Sequence, residues 1–365
     1  NNIISNNNIS SNNVHGIEIW NSNNNSISNN IIGSNNCFGI LLSHSNETTI
    51  RKNEFINNGI FVEYSYGNIV GNNTVNGKPL VYFEDESDKI IDNAGQIILV
   101  RCKNITVMNA ELTNTDVGIE LFESDNCLIS NSIISSNNDD GIVLWNSNNN
   151  SISNNIIGSN NCDGIELWFS NNNSISNNKI GSNKWDGIHL LFSNNNCISE
   201  NNISSNNHGI ELWNSNNNNI SKNNISNKWN GIYSEYSNNN IIYLNNFINN
   251  TYNAYSYNST NIWNSKEPIK YTYRGSEFTN YMGNYWDDYT GYDANGDGIG
   301  DIPYSINTDE DKYPLIEPFE NYFVTTPTPT PAPTPSPTPT PTCYPPPSPN
   351  PYVWKEHLNT TKFGE

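Results

Sequence analysis

Apolar residues return along this chain at two nested intervals. The short interval is two: in Gly141-Ile142-Val143-Leu144-Trp145, Ile142 and Leu144 point one way and Val143 and Trp145 the other, the alternation of a half-buried strand. The long interval is set by a Gly-Ile-x-Leu anchor. Its glycines stand at 16, 39, 59, 77, 95, 118, 141, 164, 187, 209 and 231, with Ala254 in the next slot, so the spacing stays between 18 and 23 residues. Between anchors, isolated isoleucines such as Ile152 and Ile156 sit in frames of Asn, Ser and Gly. A fixed period of this size marks a solenoid. Ile, Asn, Ser and Gly are poor in helices but suit short strands and tight turns. The pattern predicts an all-β fold, a right-handed parallel β-helix of about 12 coils with three short strands per coil, stacked ~4.8 Å apart into a rod of roughly 55 Å.

Composition alone points elsewhere. Asn supplies 79 of the 365 residues, a content that fits a disordered prion-like tract. The regular return of Ile, Leu and Gly through the Asn decides for order. Asn accepts the left-handed conformation that tight turns need, and stacked amides form hydrogen-bonded ladders. Inward Ile and Leu, each worth ~1.5–3 kcal/mol when buried, offset the ordering of so much polar turn.

The formal charge of −20, with 16 Lys+Arg against 36 Asp+Glu, argues against nucleic acid and anionic membranes as partners. No apolar run is long enough to cross a bilayer, so no membrane insertion is expected. Six cysteines occur singly, without metal-site or disulfide spacing.

Four segments follow. Residues 1–262 carry the repeat. Residues 263–324 are rich in Tyr and Trp and are expected to cap the last coil, because a bare solenoid end exposes strand edges. Residues 325–351 hold 13 of the 18 prolines, the composition of an extended spacer. Residues 352–365 read as the start of a further segment. The chain begins inside a repeat, and we expect it to be a piece of a longer secreted, cell-surface protein.

Within the cap segment, Asp293, Asn295, Asp297 and Asp301 stand at positions 1, 3, 5 and 9 of a loop with Gly298 at 6, like the start of a calcium-binding EF-hand loop. Tyr304 replaces the usual Glu at position 12. Ca2+ is the one cofactor these residues suggest.

The coils resemble the NosD-type parallel β-helix repeats common on archaeal surface proteins. The likeness rests on the N-x-I-x-x-N-x-I and G-I-x-L pattern, on Gly77-Lys-Pro-Leu-Val-Tyr-Phe with Asp92-Asn-Ala-Gly-Gln-Ile-Ile-Leu-Val, and on Gly283-Asn-Tyr-Trp-Asp-Asp-Tyr with Asp301-Ile-Pro-Tyr. It implies the β-helix and an extracellular setting. The family name implies a copper-accessory role, yet copper is not expected here: copper sites need clustered His, Cys or Met, and this chain has five scattered His and two Met.

Candidate chemistry lies in the outward columns of the Gly-Ile-x-Leu-x strand. Glu18, Glu120, Glu166 and Glu211 form one column, with His189 and Tyr233. Trp20, Phe122, Trp145, Trp168 and Trp213 form the next. An aromatic ladder beside carboxylates suits polysaccharide or cell-envelope glycan, since rings stack on sugar C–H faces and carboxylates accept hydroxyl hydrogen bonds. The alternative is that the rings stack on one another and stiffen the rod. A second alternative is catalytic: Asn114-Thr115-Asp116 followed by Asp139-Asp140 resembles the polygalacturonase signatures, and these aspartates, one coil apart, would serve as general acid and base. That family's Gly-His-Gly is here Cys162-Asp163-Gly164, and its Arg-Ile-Lys has no counterpart. A non-catalytic binding or structural role is the preferred reading.

Overall fold

The coil that starts at Gly141 shows how the repeat folds. Ile142–Trp145 forms a front strand, Ser151–Ser153 a second and Ile156–Gly158 a third. The corners between them are turned by residues in the left-handed region, Asn146, Asn149, Asn154 and Ser159. Ile142, Leu144, Ile152 and Ile157 point inward and are fully buried. Ile156 faces out, because period-2 alternation in a three-residue strand leaves only its middle residue for the core. Within a stack successive coils pair in parallel, as in Ile142↔Ile165 and Ile152↔Ile175. The glycine is required by closeness: a Cβ on Gly164 would stand 2.6 Å from the Gly187 carbonyl oxygen.

Turn amides stack into ladders. Asn178 Oδ1 accepts both the backbone N–H and the side-chain amide of Asn155, at 2.9 and 3.0 Å, and Asn201 and Asn223 repeat this upward. Each side-chain amide also donates to a backbone carbonyl of the coil before, as Asn155 does to Ile129 at 3.0 Å. The Asn content is therefore internal hydrogen bonding of the corners.

This computed structural model describes residues 1–323. The proline-rich segment 325–351 and residues 352–365 lie outside the described residues. The chain is an all-β, right-handed parallel β-helix of about twelve coils. The coils do not form one uninterrupted column. Three front strands, Ile17–Trp20, Ile40–Ser43 and Ile60–Glu63, make one sheet, and nine more, from Lys78–Glu84 to Tyr252–Tyr257, belong to another. Between them the chain reverses in a hairpin: Thr74–Val75 runs antiparallel to the start of Lys78–Glu84, around Asn76 and Gly77, both at positive φ. Gly77, placed in the coil column by its spacing, is a turn glycine instead. The reversal divides the solenoid into a first stack and a second stack.

The two stacks share an apolar boundary. Ile98, Val100 and Phe122, outward on the first front strands of the second stack, belong to the core cluster of the first stack with Ile60, Val62 and Val75. Their inward neighbours Ile97, Leu99, Ile119 and Leu121 belong to the core of the second stack. At the far end, Tyr285–Trp286 continues the third sheet beside Asn246–Phe247. Phe247, Trp286 and Tyr304 then stack in series at 4.3 and 4.2 Å. Two antiparallel hairpins, Ile269–Tyr273 with Ser276–Asn280 and Tyr304–Ile306 with Asp309–Asp311, accompany that strand.

Candidate functional site

The single ladder expected from the sequence is divided by the reversal. Glu18 and Trp20 lie on the first stack, in a different sheet from the rest. Glu120 and Phe122 lie on the second stack but are buried against the first. Trp145 packs edge-on against Tyr64 of the first stack, at 5.6 Å, and Trp168 lies flat on Trp145 at 4.8 Å. Only Glu166, Trp168, Glu211 and Trp213 stand clear of the junction. Glu18, Trp20, Glu120 and Phe122 therefore do not belong to one continuous binding ladder.

The junction also claims the first catalytic candidate. The strand Ile60–Glu63 ends the first stack, so its N–H groups have no further coil to pair with. Side chains of the second stack take that place. Asp116 Oδ2 accepts from the N–H groups of Gly39 and Gly59 at 2.6 and 2.8 Å, and its Oδ1 accepts from the Asn58 and Asn138 amides at 2.8 and 3.2 Å. Gln96 Oε1 accepts from Ile60 N–H at 2.9 Å, and Glu120 accepts from Val62 N–H at 3.2 Å. Asp116 is closed to solvent, and burial pushes its carboxyl up to about 6 against these four donors. Both its oxygens are taken by these donors at the junction. Asp140 is also buried, and its Oδ1 accepts from Asp163 N–H at 2.7 Å. Asp139 lines a small cleft at the junction with Cys37, Phe38, Cys162 and Trp185.

Beyond the junction the front face is open and carries two polar columns. Asp140, Asp163, Asp186 and His208 precede the coil glycines. Val143, Glu166, His189, Glu211 and Tyr233 are in register on the front strands. Each aspartate uses one oxygen to accept the next coil's N–H, as Asp163 Oδ1 does from Asp186 at 2.7 Å. Its other oxygen is left to the columns: Asp163 Oδ2 is 3.3 Å from His189 Nδ1, and Glu166 Oε1 is 3.9 Å from the same nitrogen. Two trios result, Asp163–Glu166–His189 and Asp186–His208–Glu211, with donor atoms within 4.8 Å of one another in each.

Burial dominates the electrostatics of this row. It pushes Glu166 up to about 7, with the Asp163 charge adding to the rise and His189 opposing it. It pushes Asp186 up to about 10, assisted by the Glu211 carboxyl. Burial works to lower His189, but the hydrogen bond and charge of Asp163 outweigh it and leave the imidazole above its ordinary value. His208 falls below its ordinary value through burial. No Lys or Arg among the described residues pairs with the two trios.

Aromatic residues missed by the column reading flank this row. Trp185, Trp229 and Tyr252 sit just before the coil glycines or their equivalents and are 57%, 50% and 54% exposed. Trp229 and Tyr252 meet edge to face, and Tyr233 stacks on Tyr255 at 5.3 Å. With Asn230 and Asn307 they line a cleft of about 490 Å3. The sequence signal was present as Lys184-Trp185-Asp186-Gly187 and Lys228-Trp229-Asn230-Gly231, an aromatic two residues before the glycine.

The Asp-rich loop of the cap is well formed. Asp293 accepts from the N–H groups of Gly296 and Gly298 at 2.7 and 2.8 Å, Asp297 from Ile299 at 2.8 Å and Asp301 from Ala294 at 2.7 Å. Asn295 Oδ1 accepts from Asp297 N–H at 3.0 Å. These bonds fold the loop around its own side chains.

The stacked coils, parallel ladders and polar corners define the class as a right-handed parallel β-helix repeat protein. A family model described as periplasmic copper-binding protein (NosD) matches residues 58–196 and 170–291, and one described as right handed beta helix region matches residues 1–96. The chain belongs to the NosD family. No curated protein matches its sequence. Among solved structures it is similar to the periplasmic alginate epimerase AlgG, at 16% identity over 67% of this chain and 74% of that one, with a TM-score of 0.40. It is also similar to the A-module of the Azotobacter vinelandii mannuronan C-5 epimerase AlgE4, at 12% identity over 71% and 77%, TM-score 0.37. A third likeness is to the Dettilon tailspike protein, at 14% identity over 67% and 55%, TM-score 0.39. No described helix is long and apolar enough to cross a membrane.

Proposed function

We propose that this chain is an extracellular, non-catalytic β-helical surface protein that holds polysaccharide along the open front face of its second stack. The observation that carries this reading is the pair of exposed rings Trp229 and Tyr252 on successive coils about 4.8 Å apart, with Trp185 on the same edge two coils earlier, past Asn207. That repeat is close to the length of one sugar unit. Exposed Trp and Tyr on adjacent coils are costly to leave bare in water and mark binding surfaces. Trp213, at 39% exposed, stands on the opposite edge.

The absence of a catalytic role in this reading rests on Asp116, which the junction consumes, and on Asp140, whose carboxyl is buried. The cap loop formed by Asp293, Asn295, Asp297 and Asp301 would hold Ca2+, and a calorimetric titration with Ca2+ on wild type and Asp293→Ala tests that separately.

The test uses a panel of plant, bacterial and archaeal polysaccharides, with retention and reducing-end release measured together. Retention without release is expected, and Trp229→Ala should weaken retention roughly tenfold without a change in melting temperature. Release of reducing ends that disappears in Asp140→Asn, or retention unaffected by Trp185→Ala and Trp229→Ala together, overturns the reading.

A further inference from the structure

Five histidines are scattered through the sequence, but the winding gathers two of them. His189 and His208 occupy successive coils, and between them they face Asp163, Glu166, Asp186 and Glu211. One feature separates this cluster from an ordinary acidic surface: it mixes imidazole nitrogen with carboxylate oxygen in both trios, and His189 turns its Nδ1 toward Asp163 and Glu166.

Two of the three distances within the first trio allow a shared ion. Two donors bound to one ion at ~2.1 Å each lie at most ~4.2 Å apart. His189 Nδ1 stands 3.3 Å from Asp163 Oδ2 and 3.9 Å from Glu166 Oε1, both inside that limit. The outer supports are in place as well. Asp163 is held through Oδ1 by Asp186 N–H, and the Asn230 amide lies 3.0 Å from His208 Nδ1 and fixes that ring. Asp186 Oδ1 accepts from the His208 backbone N–H at 3.1 Å, a bond within the second trio.

We propose that the second stack binds a divalent first-row transition-metal ion at Asp163, Glu166 and His189, with Asp186, His208 and Glu211 forming a second set one coil further on, in which the histidine comes from the column before the glycines. The mixed nitrogen and oxygen donors select Zn2+ and its neighbours over Ca2+, which takes oxygen alone. The site stands independently of glycan retention: its ligands are side chains between the aromatic edges, and the rings at Trp185 and Trp229 are not among them.

The experiment is calorimetric titration of the full chain with Zn2+, paired with visible absorption of the Co2+-substituted protein, which reports nitrogen ligation. Micromolar Zn2+ binding is expected, with Co2+ absorption in the visible. His189→Gln should weaken Zn2+ at least ~10-fold and His189→Gln with His208→Gln should abolish the Co2+ band. Circular dichroism checks the fold of each variant, and Glu166→Gln offers a milder change at the rim with the same direction of effect. Trp229→Ala should leave Zn2+ affinity unchanged, which keeps this test distinct from that of glycan retention. Zn2+ affinity that is unchanged in the double His variant, or no binding at millimolar Zn2+, overturns the proposal.

Discussion

Two runs of coils in the second stack carry the same anchor and do different work. In the run at Gly95, Gly118 and Gly141 the outward front residues include Gln96, Glu120, Phe122 and Val143, and all four are buried. In the run at Gly164, Gly187 and Gly209 the same columns hold Glu166, His189, Glu211 and Trp213, and they remain open in part or in full. The backbone is equivalent in register and pairing throughout. What differs is the neighbour. The first run is covered by the end of the first stack, and its polar side chains finish the hydrogen bonding of a strand that has no next coil. An outward glutamate is thus a structural cap in one run and a candidate ligand in the next.

The largest break in that comparison should come at Asp116. Asp116→Ala leaves the N–H groups of Gly39 and Gly59 without an acceptor and takes one acceptor each from the Asn58 and Asn138 amides, which keep the Cys37 and Asn57 carbonyls. A loss on the order of 4 kcal/mol in urea unfolding is expected, and a loss below about 1 kcal/mol would show that the stacks do not depend on this cap.

Next comes pH. Burial raises Asp116 to about 6 and, in the cap, Asp311 to about 7. A carboxyl raised in the folded state binds its proton more tightly there than when unfolded. Its contribution is therefore complete below the unfolded value and is lost as pH rises through those two values. The urea midpoint should fall from about pH 4 to about pH 7.5. Relief of self-repulsion in an acidic chain has the same sign, so the slope in Asp311→Asn, flatter at its upper end, isolates the buried group. A midpoint that climbs across this interval contradicts the assignment.

The smallest and sharpest contrast is between two glutamates. Burial holds the Glu120 carboxyl well above its ordinary range, and its one task is to accept from Val62 N–H. Gln96 performs that task one coil earlier with an uncharged amide. Glu120→Gln should therefore be neutral or stabilising by up to about 1 kcal/mol, whereas Glu120→Ala should cost about 2 kcal/mol. Glu166→Gln, on the open run, should stay within ~0.5 kcal/mol. Equal effects at the two positions in thermal melts would erase the distinction between the runs.

Much of this was legible along the chain. The Gly-Ile-x-Leu anchor, the inward Ile column and the Asn corners follow from period-2 alternation and from the turn preferences of Asn. These are local properties that any coil displays alone. The interruption left two traces. The spacing shortens to 18 on both sides of Gly77, and Asn76-Gly77 is a strong two-residue hairpin signal. Neither says where the reversed chain then packs. The trios were half legible: Glu166, His189 and Glu211 stand in one outward column, while Asp163, Asp186 and His208 lie outside it, each just before a coil glycine.

The sequence by itself determined the coil, because strand, corner and core position are set by neighbours within one repeat. Only the tertiary structure decided which outward columns are covered and which stay open. That choice rests on contacts such as Asp116 with Gly39, 77 residues apart. No periodicity within a coil encodes the approach of one stack to another.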